Sequence, residues 1–471
     1  MRPSKRFWLL LLILSIAGFL RLYRLTTIPP GLYRDEAIDG CNALEVLQIG
    51  RFQAFYPEDN GREGLYVNVA AVFVRFLGNR AWVLRLPAAV FGILTVWGVY
   101  RLAAEMASPE AGLLAAFFLA TSFWHVVFSR IAFRAIAAPL LLTWALYFLL
   151  SAIRRQRQSV PYVGYVLAAG IFYGLGFYTY IAWRVTPLLV AGILLASARK
   201  AGRLPAAFCI AAALVASPLA FYFATHPGSF WGHVAQLSVL RTPRPAWQAV
   251  LNTWRTARMF FTRGDGNWRH NIAWRPELFW PVAILFLIGV ARGWRKWQLA
   301  IWWMAVAALP AILSAGLVPH ALRSILMLPP AVMLAAEGAS RVHSWLAGRL
   351  PRRWLAGCSA AFLLALACEP YHTYFHRWAT NPNVPPAFDQ RAVDMAEEIN
   401  RMARETPKYV VTLQEPLVAA PVMFLTRSYT ARQQRETNIH YVESDSCQAA
   451  VPSQAKVFCL DGAQGSTTPA R

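Results

Sequence analysis

Apolar runs of helix-spanning length, separated by polar connections, recur along most of the chain. A water-soluble globule does not tolerate so many runs of this kind. The pattern therefore predicts an all-α polytopic membrane protein with about 11 transmembrane helices. We place these spans at 7–25, 81–100, 111–128, 135–152, 162–179, 185–198, 205–223, 278–291, 297–315, 321–338 and 354–370.

Arg and Lys cluster in every second connection between the apolar runs, and short loops of this composition stay cytoplasmic. We therefore expect a cytoplasmic amino terminus and an extracytoplasmic carboxyl terminus. The run at 7–25 has the length of a signal-peptide core, but no small-residue cleavage site follows it, so we expect a retained anchor. The clusters are Arg2, Lys5 and Arg6; Arg154, Arg155 and Arg157; Arg199, Lys200 and Arg203; Arg292, Arg295 and Lys296; and Arg341, Arg349, Arg352 and Arg353.

Composition agrees with a membrane protein, since 57% of the 471 residues are hydrophobic and 15% are charged. The net charge of +23 raises the question of nucleic acid. The basic residues are spread among the connections rather than gathered on one arm or stripe, which argues against a nucleic-acid partner. The predicted surroundings are a lipid bilayer.

This topology puts a first outer loop, 26–80, and a large outer loop, 225–277, on the same face of the membrane. Within the first loop, 36–49 and 66–77 both have helical apolar spacing. Helices of this kind lie in the plane of the interface. We expect these two interfacial helices to roof a cavity.

Two domains are predicted, a membrane domain over 1–370 and a small α/β extracytoplasmic domain over 371–471. Cys447 and Cys459 share the external segment, where a disulfide is permitted, although connectivity cannot be read from sequence. The expected elements are helices at 389–404 and 418–425 and strands at 409–413 and 457–460.

The strongest candidate chemistry is an acidic pair, Asp35 and Glu36, in the segment 31–37 (GLYRDEA) directly after the first span. A carboxylate at the membrane boundary can accept a proton from an acceptor that attacks an electrophile. Asp39 lies one turn further on, and Glu63 begins the second interfacial helix; both are accessory candidates. The alternative is structural: Asp35 as a helix N-cap with Glu36 in the first turn.

Cations gather on outward connections, against the usual inside bias. Arg forks onto phosphate oxygens and stabilises a leaving anion, so we interpret these residues as a phosphate-binding set. The alternative for each is an interfacial anchor on lipid headgroups, and for the histidines a satisfied loop residue. The set is Arg130, Arg134, Arg184, Arg269, His270, His320 and Arg323.

Four aromatic residues are candidates for sugar contact: Tyr33, Tyr66, Trp231 and Trp268. Most of the 19 Trp and 17 Tyr are expected to form interfacial belts instead. The sequence identifies no cofactor, because neither candidate histidine has a partner at metal-ligand spacing. The question of a divalent metal ion is left open.

The order of anchor, 31–37 (GLYRDEA), 60–66 (NGREGLY) and 84–87 (LRLP) resembles the GT-C fold membrane glycosyltransferases. The similar branch groups protein O-mannosyltransferases with aminoarabinose and lipopolysaccharide-core sugar transferases. The resemblance is strongest over 30–150 and continues more loosely through 319–323 (PHALR) to about residue 340. It does not extend to the tail.

The resemblance implies a sugar donor on polyprenyl phosphate, used at the outer face of a bacterial plasma membrane with inversion at the anomeric carbon. The family's catalytic first-loop acid maps onto Asp35, with Glu36 beside it. Many relatives have a His-Pro-Pro segment where this chain has Arg62, Glu63 and Gly64. That departure leaves Glu63 and any metal site unassigned.

The expected function is therefore transfer of a sugar to a lipid, glycan or protein acceptor. A transporter or flippase of lipid-linked sugars is the alternative from another class, since it would also have many spans and basic outer loops. Transport pathways place ionisable groups near mid-membrane, and the predicted spans have almost none at their centres. A third hypothesis, a structural subunit with a binding cap, gives no reason for the acidic pair.

Overall fold

The computed structural model describes residues 5–197, 202–413, 416–447, 452 and 454–461. Arg2, Arg199 and Lys200 of the predicted basic clusters lie outside these ranges. The helices are α1 (Lys5–Leu22), α2 (Arg34–Ile49), α3 (Leu65–Leu77), α4 (Ala81–Met106), α5 (Pro109–Ala120), α6 (Phe123–Phe128), α7 (Ala137–Arg157), α8 (Val163–Gly176), α9 (Thr186–Ser197), α10 (Leu204–Thr225), α11 (Pro227–Leu237), α12 (Pro245–Arg258), α13 (Trp280–Gly293), α14 (Gln298–Ile312), α15 (Leu328–Ala347), α16 (Arg352–Tyr371), α17 (Val384–Ala387), α18 (Gln390–Arg401), α19 (Ala420–Leu425) and α20 (Ala431–Thr437). The strands are β1 (Phe55–Tyr56), β2 (Arg62–Glu63), β3 (Lys408–Leu413), β4 (Ile439–Glu443) and β5 (Lys456–Asp461).

The apolar helices form one packed bundle, and a helix lies at each of the eleven predicted spans. Among the described residues, five helical segments are long and apolar enough to cross a membrane by length and composition. These segments are Ala81–Met106, Arg134–Arg157, Leu204–Thr225, Ile325–Ala347 and Arg352–Trp378. The mostly helical membrane architecture is confirmed, while the count of 11 crossings stays a prediction.

One predicted span, 111–128, is divided into α5 and α6. The division occurs at Ser122, whose hydroxyl accepts a hydrogen bond from the His125 amide and so caps a new helix. The short α6 leads into the turn that contains Arg130 and Arg134. The break therefore brings this turn against the first outer loop.

The first outer loop contains the two expected helices, α2 and α3, joined by an antiparallel ribbon of β1 and β2. Tyr56 pairs with Arg62 in this ribbon. The ribbon, which the sequence analysis did not predict, fixes the side chains of Arg62 and Glu63 beside α2. Both side chains are buried.

The tail contains a three-stranded parallel sheet in the order β4-β3-β5. Helix α18 and strands β3 and β5 lie where the sequence predicts them, and α19 lies within the predicted helix at 418–425. Strand β4 and helix α20 were not predicted. A disulfide joins Cys447 to Cys459.

The predicted domain boundary at residue 370 falls inside a helical segment, because α16 continues through a π-helical stretch to Trp378. From the end of this segment onward the chain packs onto both outer loops. The Asn79 amide donates to the carbonyls of Phe424 and Leu425, and Trp378 Nε1 donates to the Trp268 carbonyl. The Arg34 amide at the start of α2 donates to Asp389 Oδ2, so the tail forms part of the surroundings of α2.

Candidate active site

Glu36 is an internal anchor. Its Oε1 accepts from Arg85 Nε at 2.9 Å and from the Ala132 amide at 2.8 Å, and its Oε2 accepts from Arg85 Nη2 at 3.0 Å and the Tyr33 amide at 3.1 Å. The side chain is fully buried. Arg85 also donates to the carbonyls of Pro29 and Gly31, which ties the loop to α4. We therefore reassign Glu36 from the catalytic pair to a positioning role.

Asp35, its neighbour in the first turn of α2, has 45% of its side chain exposed. The N-cap of α2 is Tyr33, so the alternative that Asp35 caps the helix is wrong, whereas its second part is confirmed because Glu36 lies in the first turn. Its Oδ1 lies 3.6 Å from Arg62 Nη2. Of the two adjacent acids, Asp35 is the one that solvent or a substrate can reach.

Asp39 shares this face of α2 and lies against the same arginine, with Arg62 Nε 2.9 Å from Asp39 Oδ1. Burial raises the pKa of Asp39 to about 6, although Arg62 and Arg134 act to lower it. Asp39 is therefore buried whereas Asp35 is partly exposed, and its role as an accessory acid stays a prediction.

Glu63 is buried between two of the predicted cations. Its Oε2 accepts from Arg134 Nε at 3.1 Å, and its Oε1 lies 3.9 Å from Arg184 Nη2. Arg184 also donates to the Phe230 carbonyl at 2.8 Å. Glu63 therefore orients two guanidinium groups at one place.

Glu63 and Arg184 are the charged residues of a cavity of about 550 Å³ whose remaining wall is largely apolar and aromatic. Trp231, a predicted sugar contact, is part of that wall, whereas Asp35 is not. Such a cavity suits a ligand with a charged head and an apolar chain. Its lining also includes Phe177, Tyr180, Trp183, Leu219, Phe223 and Phe230.

Two outer loops that Asp265 holds together contain four more of the predicted cations, Arg269, His270, His320 and Arg323. The Asp265 carboxylate accepts from His270 Nδ1 and from the Ala321 amide, both at 2.8 Å. The rings of His270 and His320 are 5.1 Å apart, and the guanidinium of Arg269 lies 3.9 Å from the ring centre of Tyr33. The loop hydrogen bonds thus bring predicted residues from both segments into one cluster.

The two cationic groups meet at Tyr180. Its pKa is raised by burial, and the charges of Arg323, Arg134, Glu63 and Asp35 also act on it. The Arg134 guanidinium lies 5.9 Å from the ring centre of Tyr180. Tyr180, which was not a predicted site residue, is therefore close enough to the exposed acid and to both arginines for their charges to act on it.

Asp265, His270 and His320 have donor atoms within 4.8 Å of one another, so we tested them as metal ligands. The Asp265 carboxylate is already engaged by His270 and two backbone amides. Burial lowers the pKa of His320 to about 3, with His270, Arg323 and Arg269 adding to the effect while Asp265 opposes it. A neutral imidazole is the form that binds a metal ion, so these three side chains could hold a divalent cation if Asp265 exchanged its hydrogen bonds for it.

Two predicted site residues lie elsewhere. Arg130 is fully buried, and its guanidinium donates to the carbonyls of Leu20, Tyr23 and Ile28. Tyr66 is also fully buried, and its hydroxyl donates to the Leu84 carbonyl. Neither side chain is accessible to a phosphate or a sugar, so both predictions are corrected to structural roles.

Sequence reasoning missed Asp389, which lies in the tail beyond the family resemblance. Its Oδ2 accepts from the Arg34 amide at 3.0 Å, and burial raises its pKa. Arg269 donates to the neighbouring Ala387 carbonyl at 3.4 Å. No local pattern marks Asp389, because its partners are separated from it by more than a hundred residues.

Comparison with known proteins gives the fold. Residues 65–222, about a third of the chain, match the family described as dolichyl-phosphate-mannose-protein mannosyltransferase. A search of curated protein sequences finds no match.

Two solved structures are similar over 90% of this chain, each with a TM-score of 0.57. One is ArnT from Cupriavidus metallidurans bound to undecaprenyl phosphate, at 14% identity and with 85% of that chain covered. The other is the Archaeoglobus fulgidus oligosaccharyltransferase tethered to an acceptor peptide, at 13% identity; this chain spans 63% of its length. The chain therefore has the GT-C fold of membrane glycosyltransferases, which confirms the resemblance seen in the sequence.

Proposed function

We propose that the protein is a membrane glycosyltransferase that transfers a sugar from a polyprenyl-phosphate donor to an acceptor hydroxyl or amine. The reaction takes place at the outer face of a bacterial plasma membrane, with the amino terminus cytoplasmic and the tail extracytoplasmic. The observation that carries the proposal is the contrast within the acidic pair. Glu36 is fully bonded inside the fold, whereas Asp35 is held at its edge with its carboxylate partly open.

Asp35 is the general base in this mechanism. It takes the proton of the acceptor as the acceptor oxygen or nitrogen attacks the anomeric carbon. The bond between that carbon and the phosphate oxygen breaks, and the polyprenyl phosphate leaves with the bonding electron pair. A single displacement of this kind inverts the anomeric centre.

The donor's phosphate needs cations that are already oriented when charge develops on the leaving oxygen. Arg134 and Arg184 meet this need beside the apolar cavity, where the polyprenyl chain finds aromatic walls. Arg269 and Arg323 approach from the Asp265 loops. Support for the lipid-phosphate donor comes from the similar structures, one bound to undecaprenyl phosphate and another, the Archaeoglobus fulgidus enzyme AglB, to dolichol phosphate.

The test is a donor-consumption assay with the full chain in membranes and a panel of radiolabelled polyprenyl-phosphate sugars. Asp35→Asn is expected to lower the rate of sugar release by about 10²–10⁴-fold, the usual contribution of a general base. Glu45→Gln, ten residues further along the same helix, is the matched control and should behave as wild type. Equal activity in wild type and Asp35→Asn would remove Asp35 from the mechanism.

The same assay separates a transferase from a flippase. A flippase would move the labelled lipid across the bilayer without cleaving the bond to phosphate. If the labelled donor crosses the bilayer of vesicles that contain wild-type protein while no donor in the panel releases sugar, that result would favour transport over transfer.

A further inference from the structure

Three carboxylates converge on the guanidinium of Arg62. Arg62 Nε lies 2.9 Å from Asp39 Oδ1, while Nη2 lies 2.9 Å from Asp59 Oδ2 and 3.6 Å from Asp35 Oδ1. Nη1 donates to the Glu58 carbonyl at 3.2 Å. Only 3% of the arginine side chain is exposed. Arg62 is thus an internal cation, not a surface residue.

The backbone of the ribbon determines where this side chain lies. The turn before β2 has three successive residues with positive φ: Asp59 at 47°, Asn60 at 67° and Gly61 at 84°. A Cβ on Gly61 would lie 2.2 Å from the ring of Phe55, so only glycine fits there. The turn therefore delivers Arg62 to α2 in one position.

Carboxylates grouped in this way are the usual ligands of a divalent cation, which binds oxygen atoms at about 2.0–2.6 Å. Here the guanidinium already contacts those same oxygen atoms. A metal ion bound to Asp35 and Asp39 would lie in contact with a positive charge that cannot be deprotonated at neutral pH. The metal ion and the guanidinium are therefore alternatives for a single place.

We propose that Arg62 is a built-in cation that takes the place of a divalent metal ion beside Asp35, so that the site operates without a dissociable metal. Arg62 acts as a positioning residue, because its guanidinium lies 3.6 Å from the Asp35 carboxylate and orients it. Its own charge is secure: burial acts to lower its pKa, but Asp39, Asp35 and Asp59 together raise it. The catalytic part of this inference rests on the proposed function, whereas the ion-binding part does not.

The ion-binding part is tested by Mn²⁺ binding to the purified full chain in nanodiscs, followed by electron paramagnetic resonance. Arg62→Ala is expected to bind one Mn²⁺ more than wild type, because three carboxylates lose their counter-ion. Arg75→Ala, an exposed arginine on α3, is the control and should bind no more than wild type. Adding Asp39→Asn to Arg62→Ala should remove the extra ion.

Two results would overturn the inference at this stage. One is a wild-type protein that binds Mn²⁺ at a site lost in Asp39→Asn. The other is an Arg62→Ala protein with the thermal unfolding transition of wild type that gains no ion. Because the Asp265 cluster is the same in every variant, it does not affect the difference.

Transfer kinetics test the catalytic part. Wild-type activity should change less than about twofold after chelation, whereas Arg62→Ala should lose about 100-fold in kcat, the scale of one oriented charged donor. Mn²⁺ or added guanidinium ion should restore part of the loss, and Arg62→Lys should retain more activity than Arg62→Ala. Wild-type activity that stops on chelation and returns with Mn²⁺ would contradict the inference.

Failure of the proposed function has a different signature. If Asp35→Asn remains active, Asp35 is not the base, yet the Mn²⁺ counts still decide whether Arg62 occupies a cation site. If the Mn²⁺ counts contradict the inference while Asp35→Asn is inactive, the proposed function remains and only the role of Arg62 is wrong.

Discussion

Two acid–arginine pairs lie side by side at the start of α2, and they differ in almost every physical respect. Glu36 and Arg85 are both buried, share two hydrogen bonds and leave no carboxylate oxygen free. Asp35 and Arg62 are 3.6 Å apart, and the acid is 45% exposed. Neighbouring residues on a helix are separated by about 100°, so one acid faces α4 and the interior while the next faces the opening.

The two acids of this one motif therefore have different roles. Glu36 stabilises the fold, and Asp35 is the candidate for the chemistry. Glu36 fixes the position of the first outer loop relative to the helical bundle, and this in turn fixes the position of Asp35. Arg85 and Arg62 are divided in the same way, because Arg85 contacts backbone carbonyls of the loop whereas Arg62 contacts a set of three carboxylates. Each pair can be perturbed separately.

The largest effect is expected from the buried pair. Glu36→Gln leaves Arg85 as an uncompensated buried charge, which costs about 3–5 kcal/mol of stability. Thermal unfolding of the purified protein measures the loss. Glu397→Gln is the matched control, since the Glu397–Arg401 pair is largely exposed and should contribute nothing measurable. A Glu36→Gln protein that unfolds like wild type would show that the two pairs do not differ.

Hydropathy and helical period were sufficient to predict the apolar helices of the bundle and the two loop helices. Both signals are local: an apolar run must be buried or face lipid wherever it lies. The fate of Glu36 was not predictable, because its partners Arg85 and Ala132 are 49 and 96 residues away. The role predicted for Arg130 was wrong for the same reason, since its carbonyl partners lie more than a hundred residues earlier in the chain.

The next effect concerns Gly31, whose carbonyl accepts from Arg85 and which therefore belongs to the buried pair. Gly31 has φ of +66°, and a Cβ there would lie 2.1 Å from the Phe388 carbonyl oxygen in the tail. Gly31→Ala is expected to cost about 2–4 kcal/mol, combining a left-handed backbone with overpacking.

Gly50 provides the control, because its φ is +74° but a Cβ added there would have no neighbouring atom within 4 Å. Gly50→Ala should cost only about 1–2 kcal/mol, the backbone part alone. Thermal unfolding and protease protection of the tail measure the difference. Equal losses in the two variants would mean that the tail does not press on the loop.

The smallest expected effect is a pH dependence of donor consumption that involves the exposed pair. Burial raises the pKa of Asp39 to about 6, so Asp39 is ionised at pH 7 and mostly protonated at pH 5. Once Asp39 is neutral, Arg62 loses one of its three carboxylate partners, and the arrangement that positions Asp35 is disturbed. Donor consumption should follow the ionised fraction of Asp39, which is about 10% at a pH one unit below its pKa. The rate at pH 5 is therefore expected to be about a tenth of that at pH 7. The Asp39→Asn protein should be slow, and its rate should be nearly independent of pH between 5 and 7. If its rate instead falls at low pH as in wild type, the titration belongs to another group. Asp39 would then have no part in the action of Arg62 on Asp35.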